Sequence, residues 1–270
     1  MNPPKTKPAK PARTPKPKLL GTWPANQWLV GQDEVDMAVA PVPVQPLTFE
    51  ARPQRLTVDL ARSALVVVDM QNDFCTPGGW LDSLGADLSP NRAPIKPLTR
   101  LIPALRRAGM PVIWLNWGNR ADLLNLTPGD LHICTPAGQG IGFGDPLPGS
   151  GAKVLEKDSW AACVVDELEQ KPKDIRVDKH RMSGFWGTQL DPILRNIGVN
   201  CLLFSGVNTD VCVMTTLQDA QFNGYGCVMI EDCCGTTNPQ FCADAAVWQV
   251  ENIYGFVSDS HEIMSGLKGN

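Results

Sequence analysis

Apolar and polar positions alternate in blocks along most of this chain. Short β-branched or apolar runs occur at "ALVVVD" (64–69), "MPVIWLNW" (110–117), "DIRVDK" (174–179), "NCLLFSG" (200–206), "YGCVMIED" (225–232) and "FVSD" (256–259). Runs of this length and composition predict buried strands. Between them apolar residues recur at helical spacing. "APIKPLTRLIPALRRAG" places Ile95, Leu98, Leu101, Ile102 and Leu105 on one face and stops at Gly109. "SWAACVVDELEQ" (159–170), "GTQLDPILRNIG" (187–198), "DVCVMTTLQDAQFNG" (210–224) and "NPQFCADAAVWQVENIYG" (238–255) also read as helices. Strands alternating with helices imply right-handed crossovers and one parallel sheet covered on both faces. The expected fold is a three-layer α/β domain of Rossmann-like form over residues 56–270.

The N-terminus follows another pattern. Residues 1–18 are Pro- and Lys-rich, carry six basic side chains and no acid, and build no core. They are expected to be a disordered tail. Residues 19–55 keep many prolines but add Trp23, Trp28, Leu29 and Val30. This arm is expected to pack either on a neighbouring subunit, in a homo-oligomer, or as a strap on its own domain.

Composition narrows the class. Of 270 residues 43% are hydrophobic, ample for one large core, and the net charge of -4 carries no nucleic-acid signature. Without the basic tail, 18 basic face 28 acidic side chains. No apolar run approaches the roughly 18–20 residues of a membrane span, and no apolar stretch follows the first basic residues as in a secretory signal. The nine scattered cysteines therefore read as reduced thiols of a cytoplasmic protein. His132, His180 and His261 are too widely spaced in sequence to suggest a zinc cluster.

Ligands of open parallel sheets bind beyond the carboxyl ends of the strands. Three chemically useful residues are expected there: Asp69 after "ALVVV", Lys179 closing "IRVDK" and Cys212 just after "CLLFSGVNTDV". With Thr209 as N-cap, Cys212 occupies the first helical turn. Unpaired N–H groups and the positive end of the helix there favour thiolate and could hold an oxyanion. Each residue alone has a plain alternative: a buried small thiol, a turn-forming carboxylate, a solvated lysine. Spacing does not show that they meet.

Three motifs in order, "LVVVDMQNDFCTPGG", "RMSGFWGTQLDPILRNIGV" and "FSGVNTDVCVMTTLQDA", closely resemble those of the isochorismatase-like cysteine hydrolases, over about residues 51–266. Within that family the chain looks most like the branch that hydrolyses ureidoacrylate, with the triuret and biuret hydrolases close by. The resemblance implies a catalytic triad of Asp69, Lys179 and Cys212. It also implies a cis Val207-Asn208 peptide, an oxyanion hole from the N–H groups of Asn208 and Cys212, and no cofactor. The histidines of the family's metal-dependent nicotinamidases have no counterpart in "NWGNRADLLNLTPGDLH", so neither metal nor nicotinamide is expected. The implied substrate is a small linear ureido or carbamoyl amide. Phe74 and Trp186 are candidate flat walls and Asn116 a candidate polar contact, though the aromatics could equally be core and Asn116 a turn cap. The alternatives are an amidohydrolase of another carbamoyl compound, such as N-carbamoylsarcosine, or a non-catalytic binding protein on the same fold.

Overall fold

The structure is a computed structural model and describes residues 16–38, 42–135 and 138–269. The chain divides into two compact units, Met1–Val42 and Pro43–Asn270. Most of the expected disordered tail lies outside the described residues. In the smaller unit, β1 (Lys18–Trp23), β2 (Asn26–Val30) and β3 (Val35–Asp36) pair antiparallel in chain order. No strand was assigned to the arm from sequence, because these strands alternate too weakly for a period of two to show. Residues 43–55, expected in the arm, fall in the larger unit. There β4 (Pro46–Phe49) pairs antiparallel with β5 (Leu56–Asp59), and Leu47, Phe49 and Val58 are buried.

The larger unit is built on a six-stranded parallel sheet of β6 (Ser63–Val68), β7 (Val112–Trp117), β8 (Ile175–Lys179), β9 (Cys201–Val207), β10 (Gly226–Gly235) and β11 (Phe256–Ser258). Their order is β11-β10-β9-β6-β7-β8. Flanking helices are α1 (Asn72–Cys75), α2 (Trp80–Ser83), α3 (Ser89–Arg92), α4 (Ile95–Arg107), α5 (Pro128–Cys134), α6 (Leu190–Asn196), α7 (Met214–Phe222), α8 (Gln240–Gln249) and α9 (Ser260–Lys268). The expected three-layer α/β fold is what forms. Every residue of β6 is buried, as its unbroken apolar run requires of a central strand covered on both faces. Val66 aligns with Ile113 on one side and Phe204 on the other.

One expected element is absent, and several short helices and α9 come in addition to those expected. Residues 159–170 form turns, not a helix. Their polar atoms are tied to the loop after β6: Asn72 Nδ2 donates to Trp160 O at 2.9 Å, and Gln71 Nε2 to Ala162 O at 2.6 Å. Helix α9 was not anticipated. Asp259 caps it, accepting from Glu262 N–H at 2.9 Å, a signal legible in "DSHE". Its Gly266 lets α9 lie against β4, since a Cβ there would sit 2.3 Å from Thr48 O.

The chain runs outward from β6 to β7 and β8, then crosses to β9 on the other side of β6. The strand order therefore switches between β6 and β9, where such sheets open a crevice at their carboxyl edge. Gly206 (φ +110°) permits the close approach there: a Cβ would stand 1.9 Å from Val68 O.

Candidate active site

Asp69 leaves β6 at that crevice with φ +49°, a left-handed conformation rare for residues with a Cβ. Its N–H donates to Leu115 O at 2.9 Å. Lys179 ends β8, two strands away. Trp117 of β7 is its register partner, and the ammonium passes 4.1 Å from the centroid of the Trp117 ring. It ends 2.7 Å from Asp69 Oδ2. Both side chains are buried, and Lys179 also donates to Arg181 O at 3.2 Å.

Cys212 lies beyond β9. The peptide Val207-Asn208 is cis. Asn208, extended at φ -81° and ψ 143°, is the residue before the helix, and Thr209–Val213 form a wide i→i+5 turn that runs into α7. Thr209 was expected as N-cap; it is instead the first residue of the turn, and no side chain caps it. Asn208 is positioned by Asn91, whose Nδ2 donates to Asn208 Oδ1 at 2.9 Å and to Phe74 O at 3.1 Å. Thr216 ties the turn down by donating to Cys212 O at 2.6 Å and accepting from Gly184 N–H at 3.0 Å.

The electrostatics correct one expectation. Burial pushes the Cys212 thiol up to about 12, overcoming the lowering by Lys179, and the nearby Asp69 raises it further. Burial and Asp69 thus act against the thiolate, and Lys179 acts for it. Burial also raises Asp69 above the usual carboxylate range, against the ammonium of Lys179 and the hydrogen-bonding influence of the Cys212 thiol. Acid, ammonium and thiol thus form one coupled, dry cluster.

A cavity of about 390 Å³ opens on Cys212. Phe74, Trp80, Trp117 and Phe143 wall it, with Leu81, Leu84, Ile133, Cys134, Met182 and Val211; Asn208, Thr237 and Asn238 supply polar groups. The aromatic rings support one another: Trp80 and Trp117 lie 5.3 and 5.0 Å from Phe143, and Phe74 lies 6.3 Å from Trp80. No charged side chain is among the described lining residues.

Of the expected walls, Phe74 lines this cavity and Trp186 does not. Trp186 is 65% exposed, and its Nε1 donates to Asp219 Oδ2 at 2.7 Å, which keeps the indole outside. Asn116 is also displaced from the expected contact. Asn116 is absent from the cavity lining and borders a separate cleft beside Asp178, whereas the next residue, Trp117, borders both that cleft and the Cys212 cavity.

Several supporting residues were not singled out from sequence. Gln71 donates to Trp117 O and accepts from Trp117 N–H, both at 2.8 Å, fixing the end of β7. Asp73 accepts from Trp80 N–H at 2.9 Å and Leu155 N–H at 2.7 Å, joining two loops of the cavity wall. Their position within "DMQNDF" was the available signal. The one group of ligating side chains close enough to share a metal among the described residues, Asp259, His261 and Glu262, lies at the start of α9 and does not line the cavity.

The Isochorismatase domain family matches residues 63–262. A cysteine hydrolase from Pseudomonas syringae pv. phaseolicola has a similar fold, with TM-score 0.67 and 23% identity over 83% of this chain and 98% of that one. An isochorismatase family protein from Desulfovibrio vulgaris matches with TM-score 0.62 and 24% identity over 77% and 98%. N-carbamoylsarcosine amidase from Thermoplasma acidophilum matches with TM-score 0.56 and 27% identity over 74% and 98%. The matched span runs from β6 into α9 and so contains Asp69, Lys179 and Cys212: the chain belongs to the isochorismatase family of hydrolases.

Proposed function

We propose that the protein is a cysteine amidohydrolase that cleaves a C–N amide bond of a small, uncharged ureido or carbamoyl compound and releases ammonia. The observation that carries this is the buried pair of Asp69 and Lys179 set against Cys212, which itself lines an aromatic cavity whose described lining has no charge. In the proposed reaction the Asp69 carboxylate takes the thiol proton of Cys212 as the sulfur attacks the substrate carbonyl. The Lys179 ammonium offsets the negative charge passed between carboxylate and sulfur. The N–H groups of Asn208 and Cys212 receive the oxyanion. Collapse breaks the C–N bond, Asp69 returns its proton to the departing amine, and a thioester remains. The same carboxylate then takes a proton from water, which attacks the thioester, and the regenerated thiolate recovers that proton.

Flat amides stack well between the walls formed by Trp117, Phe143 and Trp80, and Asn208, Thr237 and Asn238 offer partners for their N–H and C=O groups. Triuret and biuret fit this description. A substrate bearing a carboxylate, such as ureidoacrylate or an N-carbamoyl amino acid, would meet no cation among the described lining residues. The structural likeness to an N-carbamoylsarcosine amidase supports that second reading. Ammonia release from biuret, triuret, ureidoacrylate and N-carbamoylsarcosine, measured side by side, separates the two. Turnover confined to the carboxylates would replace the first reading by the second, and no release from any of the four would remove both.

A further inference from the structure

Three side-chain amides, those of Asn91, Asn208 and Asn238, are turned by the acceptors around them. An amide has a donating and an accepting edge, and its hydrogen-bond partners decide which way it faces. The anchor is the carbonyl of Phe74. Asn91, fully buried, donates to it from Nδ2 at 3.1 Å. Turning Asn91 over would set its Oδ1 against that carbonyl, acceptor against acceptor, and Oδ1 has no hydrogen-bond partner among the described residues to favour the turn. The second hydrogen of the same Nδ2 goes to Asn208 Oδ1 at 2.9 Å. Asn208 is thereby fixed with its oxygen toward Asn91 and its Nδ2 turned away. Asn238 is fixed the opposite way. Its Nδ2 donates to Asp210 Oδ2 at 2.7 Å, and an ionised carboxylate only accepts. Its backbone N–H is held by Thr236 Oγ1 at 3.1 Å, and Asn238 Oδ1 is left unclaimed among the described residues.

Asn208 and Asn238 both line the Cys212 cavity. We infer that this cavity reads hydrogen-bond polarity: Asn208 Nδ2 donates to a substrate carbonyl, Asn238 Oδ1 accepts from a substrate amino group, and Asn91 is the positioning residue that sets the first contact. The inference rests on the amidohydrolase reading and names a substrate class within it. That class is a neutral chain with two carbonyls joined through nitrogen, one attacked by Cys212 and the next held by Asn208, ending in an amino group that Asn238 receives. A cation in place of the second carbonyl sets donor against donor at Asn208. A methyl group or a carboxylate in place of the amino group leaves Asn238 Oδ1 without a donor. A site that hydrogen-bonds its ligand loses more when such a partner is missing than an apolar pocket loses with a methylene.

The test is calorimetric binding to full-length Cys212→Ser, which should hold ligands without turning them over. The probes are biuret, guanylurea, whose amidinium replaces one carbonyl, and acetylurea, whose methyl replaces one terminal amino group. Biuret is expected to bind about 10-fold or more tightly than either analogue. Adding Asn208→Asp keeps an oxygen for Asn91 and exchanges the presented amino group for a carboxylate oxygen. It should reverse the order of biuret and guanylurea. Adding Asn91→Ala, which frees the Asn208 amide to turn, should narrow that gap. Adding Asn238→Leu should level biuret with acetylurea and leave guanylurea weak. Circular dichroism reports that each variant is folded. Either analogue bound as tightly as biuret, no measurable binding of biuret, or preferences that folded Asn208→Asp and Asn238→Leu leave unchanged overturn the inference. Ammonia release by the wild type reads the amidohydrolase assignment separately. Turnover beside any of those outcomes keeps that assignment and removes only the polarity; binding preferences as expected without turnover do the reverse.

Discussion

The ammonium of Lys179 lies 2.7 Å from the Asp69 carboxylate although a whole strand separates their backbones. Neighbouring strands stand about 4.8 Å apart, so only a long side chain at the end of β8 reaches the end of β6. Lys179→Met keeps the length and removes the charge. It is expected to lower turnover about 10²-fold or more, as for loss of one electrostatic group. It should also shift alkylation of Cys212 to higher pH, because Lys179 lowers that thiol. If turnover collapses and the alkylation profile stays in place, Lys179 acts on substrate and the proposed role is wrong. Lys179→Arg, with a different reach and shape, should recover little.

Cys212→Ser is expected to fold and to lose turnover to background. Cys75→Ser should keep it. Cys75 is buried and held above its ordinary range by that burial, with its thiol directed to Asn91 O. Equal rates in Cys212→Ser and wild type would exclude a thioester route.

The pH profiles of free enzyme and catalysis should differ. Since burial holds the Cys212 thiol near 12, alkylation of the free enzyme should keep rising through pH 8–10 without levelling. Turnover instead needs ionised Asp69. Burial raises that carboxyl, so kcat/KM should fall with acid at a pH above the usual carboxylate range. An alkylation plateau near neutrality would mean a preformed thiolate.

Asp73 links stability to pH. Burial raises its carboxyl to about 6, against two backbone N–H donors. A raised acid keeps its proton in the folded state while the unfolded chain has lost it. Stability contributed by this group is therefore full below about pH 4 and falls as pH rises to about 6, by roughly 3 kcal/mol. Asp73→Asn should flatten that part of the stability curve in denaturant titrations from pH 4 to 7. An unchanged slope would place the titration elsewhere.

Turnover should survive prolonged chelation. The described lining of the cavity contains no histidine or carboxylate, and Cys134 and Cys212 are its only thiols. Loss of activity restored by a divalent ion would contradict this.

Much of this geometry is legible in the sequence because it depends on local pattern. "ALVVVD" reads as a central strand, and the residue after such a strand reaches the carboxyl edge, which locates Asp69. Lys179, the last residue of β8, and Cys212, in the turn beyond β9, lie near the same edge, but their grouping with Asp69 was implied by the family resemblance and not by spacing. Contacts made across the sheet were not legible. Trp117 and Asn116 are adjacent in sequence, and only the phase of β7 decides that Trp117, not Asn116, borders the Cys212 cavity. Trp186 sits in a motif but is drawn outward by Asp219, 33 residues away. Residues 159–170 carry a helical pattern of apolar positions, yet Asn72 and Gln71 claim their carbonyls. The influences on the thiol divide in the same way: the helix start is local, while the burial that opposes it comes from the whole domain.

The indole of Trp117 touches both the ammonium of Lys179 and the space a substrate would fill. One ring therefore sets the shape of the binding space and the dielectric around the charge pair. Replacing it with a smaller residue to admit a larger substrate would also let water reach the ammonium and weaken its hold on the carboxylate. If the proposed reaction holds, selectivity and nucleophile strength share a wall, and a lineage drifting toward new amides has to change both at once or leave that wall alone.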